Sequence, residues 1–332
     1  MRLLALTLLI AWLAALLSPV ATGEELVIVV TFAPLKGDVE RLLCGYGVVY
    51  VLVPAGVDPH EYQLTPRDVE LLERAKLVVS TGHTHFELKI REMVESGELR
   101  AELLEVTGIT GLKVLANPVT GQPNYHMPIR DPVNYVLFVL EVAKKLSQVD
   151  PARSGCYAEK ALEVAREVLS AILPARGSQR GLVVADKPHA QYAAEWLGYS
   201  VAWIVRYEEE AQVTPESARR AEELAESGSL AAVFVTDPPV AQESQLLLEI
   251  ARAHKLPVVY VPSPASTTST LEALKAIAEQ VSKLKPPEQA SQAGQQAGVG
   301  AGTPLALATG LVGFAGGLVA GYLIAKRGVK RA

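Results

Sequence analysis

Six histidines hold most of the chemistry in this sequence: His60, His83, His85, His126, His189 and His254. A neutral imidazole is the commonest protein ligand for a transition metal, and zinc takes three or four N, O or S donors. His60 lies in Val57-Asp58-Pro59-His60-Glu61-Tyr62, just after an apolar run. His126 lies in Asn124-Tyr125-His126-Met127-Pro128, before a helix opening at Pro132, and His189 follows Ala185-Asp186-Lys187-Pro188 after another apolar run. Strand ends in open α/β sheets face the ligand crevice, so these three could converge there. His60, His126 and His189 are therefore the candidate metal ligands. His83-Thr84-His85-Phe86-Glu87 follows a third apolar run and a glycine. Two histidines so spaced either chelate at a cleft mouth or open a polar helix. His254 fits a helix C-terminus, where the dipole favours a cation. Competing chemistries lack their motifs: there is no phosphate-binding loop, no G-x-S-x-G elbow and no H-E-x-x-H.

Short apolar runs and helical stretches must position these side chains, and they alternate twice. The first set has strands near Leu26–Val30, Val48–Val53 and Lys76–Ser80, with helices at Pro34–Cys44, Thr65–Arg74 and His85–Ser96. One long helix is expected from Asp150 to Leu173, with Asp150 as N-cap and Pro151 at the first position. The pattern then restarts, with strands at Gly181–Ala185, Val201–Val205, Ala231–Thr236 and Pro257–Val261, helices between them, and a last helix from about Thr270 to Leu284. Continuous apolar runs alternating with helices imply parallel sheets. The expected fold class is α/β, two lobes joined by a single long backbone helix. Small-molecule sites favour such interfaces.

The ends differ from the body. The chain has 332 residues, 49% hydrophobic and 20% charged, with a net charge of −5, yet its mean hydropathy is positive at +0.22. That excess is concentrated. Arg2, the apolar run Leu3–Leu17 and the small residues before Glu24 read as a secretory signal, 1–23. No cysteine lies near the expected cleavage point, which argues against a lipid anchor there. Leu305–Ala325 carries no charge over about the 20 residues a membrane helix needs, and Lys326, Arg327, Lys330 and Arg331 follow at once. The positive-inside rule puts that tail in the cytoplasm and the body outside. The expected organisation is signal 1–23, first lobe 24–149, linking helix 150–176, second lobe 177–285, Pro/Gly/Gln-rich linker 286–304, transmembrane helix 305–325 and basic tail 326–332. An acidic balance gives no support to nucleic-acid binding. Cys44 and Cys156 would sit in an oxidising compartment, where a disulfide or two buried thiols are both compatible with the sequence.

The stretch Val51-Leu52-Val53-Pro54-Ala55-Gly56-Val57-Asp58-Pro59-His60, followed by the helix start Thr65-Pro66-Arg67-Asp68, resembles the signature of the zinc- and manganese-binding proteins of ABC importers, cluster A-I. Ala75–Gly82 resembles that family's next strand and turn, and Tyr125-His126-Met127-Pro128 with Arg130-Asp131-Pro132 its second histidine motif. The resemblance covers the whole body. It implies a bilobal receptor, not an enzyme, that holds Zn2+ or Mn2+ between its lobes as transported ligand. It also implies delivery to an ABC permease and its ATPase, and ligation by His60 and His126.

In the second lobe the pattern departs. Gapless alignment on Tyr192 puts Lys187 at the ligand position, with His189 two residues later, and Ser263 stands where the family has an aspartate. Candidate replacements for the fourth ligand are Asp237, Glu208, Glu209, a water, His83 or His85. The expected protein is thus a membrane-tethered metal receptor with a monomeric body. The alternative is a protein of the same fold whose metal site is altered or lost, acting as an adhesin-like scaffold or binding another ligand.

Overall fold

The computed structural model describes residues 25–284, apart from 176, 178, 179, 209 and 210. The expected signal, linker, apolar segment 305–325 and basic tail lie outside the described residues. Among the described residues no helix is long and apolar enough to cross a membrane.

The first sheet holds β1 (Val27–Val30), β2 (Val48–Val51), β3 (Leu77–Ser80) and β4 (Glu102–Glu105), all parallel, in the order β2-β1-β3-β4. Its central strands β1 and β3 are buried along their whole length, which explains their unbroken valine-rich sequences. The helices between are α1 (Ala33–Glu40), α2 (Pro66–Arg74) and α3 (His85–Glu95). Thr65 caps α2 and exchanges bonds with Asp68, and Thr84 and Glu87 form the same box on α3. The first strand pair and helix starts fall where the sequence places them. β4 and a two-residue ribbon, β5 (Leu115–Ala116) with β6 (Pro123–Asn124), are additional, being too short and polar to stand out.

α4 (Pro132–Val149) buries Tyr135, Phe138, Val139, Val142 and Leu146 against the first sheet's core and lies beside α5 (Ser154–Ile172). The linking helix starts later than expected, because Pro151–Arg153 forms a tighter 3-10 turn. Asp150 does not cap it. Its carboxylate instead accepts from Arg153 at 2.9 Å and from the Tyr157 hydroxyl at 2.6 Å.

The second sheet holds β7 (Gly181–Ala185), β8 (Tyr199–Ile204), β9 (Leu230–Asp237) and β10 (Val258–Pro262), again parallel, in the order β10-β9-β7-β8. Its helices are α6 (His189–Glu195), α7 (Pro215–Glu226), α8 (Gln242–His254) and α9 (Thr270–Ser282). α6 begins at His189, three residues before the start the sequence suggests at Tyr192. The α/β fold with two parallel sheets is as expected.

Two devices brace the halves besides α5. Leu271 and Leu274 of α9 belong to the first lobe's core, while Ile277, Ala278 and Val281 belong to the second's. Asp38 of α1 is fully buried and accepts from the Thr270 amide at 3.1 Å, the Leu271 amide at 3.4 Å and the Tyr135 hydroxyl at 2.8 Å. It thus sits at the N-terminus of α9, where a carboxylate is favoured. Burial pushes its pKa up, and the bonds from Thr270, Tyr135 and Leu271 oppose that.

Cys44, in the turn after α1, and Cys156, in α5, form a disulfide across a separation of 112 residues. A closed loop of that length restricts the unfolded chain strongly, so its removal costs roughly 2–4 kcal/mol. Urea unfolding of the full chain with and without reductant checks this: the midpoint falls on reduction, and Cys44→Ala falls equally and no longer responds to reductant.

Candidate metal centre

His60 and His83 lie beyond the C-terminal ends of β2 and β3, which flank β1 in the first sheet. His60 follows β2 in a loop where the Asp58 carboxylate accepts the His60 amide at 2.9 Å. That loop touches the second lobe through the Gly56 amide, which donates to the Ala265 carbonyl at 2.8 Å. His83 follows β3 through Gly82. At φ +83° Gly82 is left-handed, and an added Cβ would stand 2.5 Å from Thr107 Oγ1, so only glycine permits this turn. His126 follows β6.

The three rings form a triangle, with centroids 5.4 Å (His60–His83), 5.5 Å (His60–His126) and 5.2 Å (His83–His126) apart. One ligand nitrogen from each lies within 4.8 Å of the others. The cavity they line is about 240 Å³ and also meets His189, Lys187, Ser263 and Met127. Of the expected ligands, His60 and His126 come together. His189 lies in the same cavity wall but outside the close group, and His83 takes the third place. His85 sits one position into α3 and is exposed. His254 pairs with Glu222 at 2.7 Å at the end of α8.

Hydrogen bonds orient the rings. The Asn124 amide group gives its N–H bonds to the Pro188 carbonyl (2.9 Å) and Gln191 Oε1 (2.8 Å), both in the second lobe. Its oxygen is thereby turned to accept from the His126 amide at 3.0 Å and from His126 Nδ1 at 3.1 Å. Nδ1 therefore carries the proton. Nε2 keeps the lone pair, buried with no hydrogen-bond partner among the described residues. Burial, then the neighbouring His83, His60 and Lys187, push His126 down to about 3.

Around His83 the fully buried Glu87 gathers the turn. It accepts the amides of Thr81 (2.7 Å), Gly82 (3.1 Å), His83 (3.1 Å) and Thr84 (3.2 Å). Burial alone would raise its pKa. The facing His83, the hydroxyls of Thr31 and Thr81 and the Thr84 amide outweigh that and hold it below the usual range.

The second-lobe wall is built differently from the family pattern. Lys187 lies 3.4 Å from Glu243, which Arg206 also reaches at 3.4 Å. The Lys187 charge is thus balanced at the cavity edge. Ser263 Oγ accepts the Ala265 amide at 3.1 Å and shapes the turn after β10. Asp237 is exposed at the end of β9 and does not line the cavity. Glu209 lies outside the described residues. His83 was the ligand candidate that spacing alone undervalued. Its signal was position: it follows a buried strand, as His60 does, directly before the Thr84–Glu87 capping box.

The family described as "ZnuA: Zinc-uptake complex component A periplasmic" matches residues 28–285. The chain belongs to this family. It is a member of the metal-binding, substrate-binding proteins of ABC importers. Among its relatives, the iron-binding protein YfeA of Yersinia pestis is 25% identical over 239 residues, covering 69% of this chain and 76% of that one. The manganese ABC transporter substrate-binding lipoprotein PsaA of Streptococcus pneumoniae is 24% identical over 254 residues, covering 69% and 80%. Solved structures share the fold. A Mn-bound periplasmic metal binding protein from Candidatus Liberibacter asiaticus superposes with a TM-score of 0.62 at 20% identity, covering 78% of this chain and 98% of that one. The substrate-binding protein FpvC of Pseudomonas aeruginosa, in complex with Mn2+, gives 0.63 at 18% identity, covering 77% and 98%.

The buried imidazoles make metal-free stability pH-dependent. His126 is held down to about 3 and His189 well below 6.5, in both cases chiefly by burial. Below pH 6.5 the unfolded chain takes up protons that the fold refuses, so stability is present above that pH and is lost as the pH falls. Each such imidazole contributes about 1.4 kcal/mol per pH unit. Chelator-treated protein unfolds at progressively lower urea between pH 6.5 and 4.5, and His189→Gln flattens that slope. An unchanged slope would contradict the burial of a neutral ring at this position.

Proposed function

We propose that this protein is an extracytoplasmic receptor that captures a divalent transition metal, zinc foremost, between its two lobes and delivers it to an ABC permease. The observation that carries this reading is the His60–His83–His126 triangle, three nitrogens within 4.8 Å of one another in a cavity between lobes. Imidazole donors suit zinc, whereas manganese prefers carboxylate and water. No carboxylate belongs to the close group, so the donor set favours zinc over manganese. The apolar segment 305–325 supports a tether that keeps the receptor at the membrane beside its permease.

Zinc titration of the full chain against a competing chelator tests the reading. One ion binds per chain, and Mn2+ binds far more weakly. His60→Ala, His83→Ala and His126→Ala each weaken zinc by more than the roughly 10–100-fold typical of outer-shell partners. His85→Ala leaves affinity unchanged. Equal affinity for Mn2+ and Zn2+ would sink the all-imidazole site. A chain that holds no metal would favour the altered-site alternative that Lys187 and Ser263 raise.

Proton competition adds a second check. Ligand imidazoles must be neutral, so capture weakens in acid. His126 already refuses its proton down to about pH 3. Between pH 7.5 and 5.5 zinc binding therefore releases no proton from His126, and ring-nitrogen shifts showing His126 protonated in the metal-free chain at pH 5.5 would be incompatible with this site.

A further inference from the structure

Both lobes contain the same three-part chain of hydrogen bonds, and neither sequence motif announces it. In the first lobe the Thr81 hydroxyl donates to Glu87 Oε2 at 2.6 Å, and His83 Nδ1 lies 2.9 Å from the same hydroxyl oxygen. In the second, the Thr236 hydroxyl donates to Asp186 Oδ1 at 3.0 Å, and His189 Nε2 lies 3.3 Å from that oxygen. Glu87 and Asp186 are both fully buried. Further donors favour the acceptor form of each; burial still raises the Asp186 pKa to about 6, so it is an ionised acceptor at pH 8. Glu87 takes four backbone amides. Asp186 takes the Thr236 amide at 2.7 Å and the Ser244 hydroxyl at 2.6 Å.

A threonine hydroxyl has one proton to give. Once that proton is committed to a buried carboxylate, the oxygen can only accept from the imidazole on its other side. His83 must then carry its proton on Nδ1, leaving Nε2 as the base. His189 must carry its proton on Nε2, leaving Nδ1 as the base. His189 Nδ1 is buried without a hydrogen-bond partner among the described residues, on a residue only 1% exposed that lines the cavity with the three first-lobe histidines. The opposite tautomer in either ring would set two lone pairs against each other beside a buried carboxylate.

We propose that Thr81 and Thr236 are positioning residues: a carboxylate–hydroxyl–imidazole relay in each lobe fixes the tautomers of His83 and His189 so that both present a lone pair to the interlobe cavity. His189 then supplies the second lobe's ligand through Nδ1, facing a first-lobe site in which His83 and His126 offer Nε2. The inference rests on the metal-receptor reading for its consequence, but not for the tautomers themselves.

Ring-nitrogen chemical shifts of the ¹⁵N-histidine-labelled, metal-free full chain at pH 8 read the tautomers directly. His83 is expected in the Nδ1–H form and His189 in the Nε2–H form. Thr81→Val and Thr236→Val each shift their histidine toward a tautomer mixture and weaken zinc about 10–100-fold, the usual cost of losing a partner that orients a ligand. Thr81→Ser and Thr236→Ser retain the hydroxyl and restore both readouts, whatever the valine variants do to thermal stability. Reversed tautomers in the unmutated protein overturn the proposal, as do serine variants no better than valine or valine variants with unchanged affinity. The spectrum needs no metal, so the two readings fail separately. A chain with the stated tautomers that binds no zinc loses only the metal-receptor reading. A zinc-binding chain with reversed tautomers loses only the relay.

Discussion

A neutral imidazole has one lone pair, and a site built from imidazoles works only if every other polar atom nearby has already been claimed. That constraint governs the architecture around this cavity. Buried polar groups are costly unless paired, so each ring's N–H must end on an acceptor before its base nitrogen can face a cation. Asn124 accepts from His126, and its own N–H bonds are anchored on Pro188 and Gln191. The hydroxyl of Thr81 is committed to Glu87. Charge follows the same logic. A dication among neutral ligands needs negative charge close by, and in a low-dielectric interior nearby charges interact strongly. Glu87 lies two hydrogen bonds behind the His83 ring, through the Thr81 hydroxyl, where it would stabilise a cation without occupying a coordination position.

The scaffold explains why such exact pairing survives. The two sheets are held by α5, and α9 also contributes to both apolar cores. Asp38 holds the start of α9, and Arg130, fully buried, donates to the Pro262 carbonyl at the end of β10 at 2.7 Å. Burial pushes Arg130 down to about 10, against the opposing pull of Asp38. Cross-bracing of this kind leaves little freedom for a wide hinge. First-lobe and second-lobe groups already share one cavity in this arrangement.

The strands and helices were legible because burial writes itself into composition: β1 and β3 are enclosed on both faces and read as continuous valine, and Thr65 and Thr84 mark helix starts with their own boxes. β4 and the β5–β6 ribbon were not legible. A two-residue ribbon has no periodicity, and Glu102 and Glu105 interrupt β4 with charge. His60 and His126 could be recognised from the residues around them. The third member of the triangle was legible only as one of a pair, since the strand before them marks His83 and His85 alike and the turn at Gly82 decides that one enters the cavity and the other faces solvent. The second-lobe relay was beyond sequence altogether, because Thr236 and His189 are separated by 47 positions and meet only where β9 lies beside β7.

Lys187 and Ser263, which looked like damage to a metal site, are better understood together with His83. Where the family pattern brings carboxylate to the ion from the second lobe, this chain has a lysine paired with Glu243 and a serine that shapes a turn. An imidazole has been added from the first lobe, and the carboxylates of Glu87 and Asp186 stand behind threonines. These two carboxylates stand one hydroxyl behind the imidazoles. A hard cation such as manganese loses its preferred oxygen donors by that exchange, while zinc loses little, since nitrogen ligands suit it. On the proposed zinc reading, the replacement would alter which metal the cavity selects more than whether it can hold one.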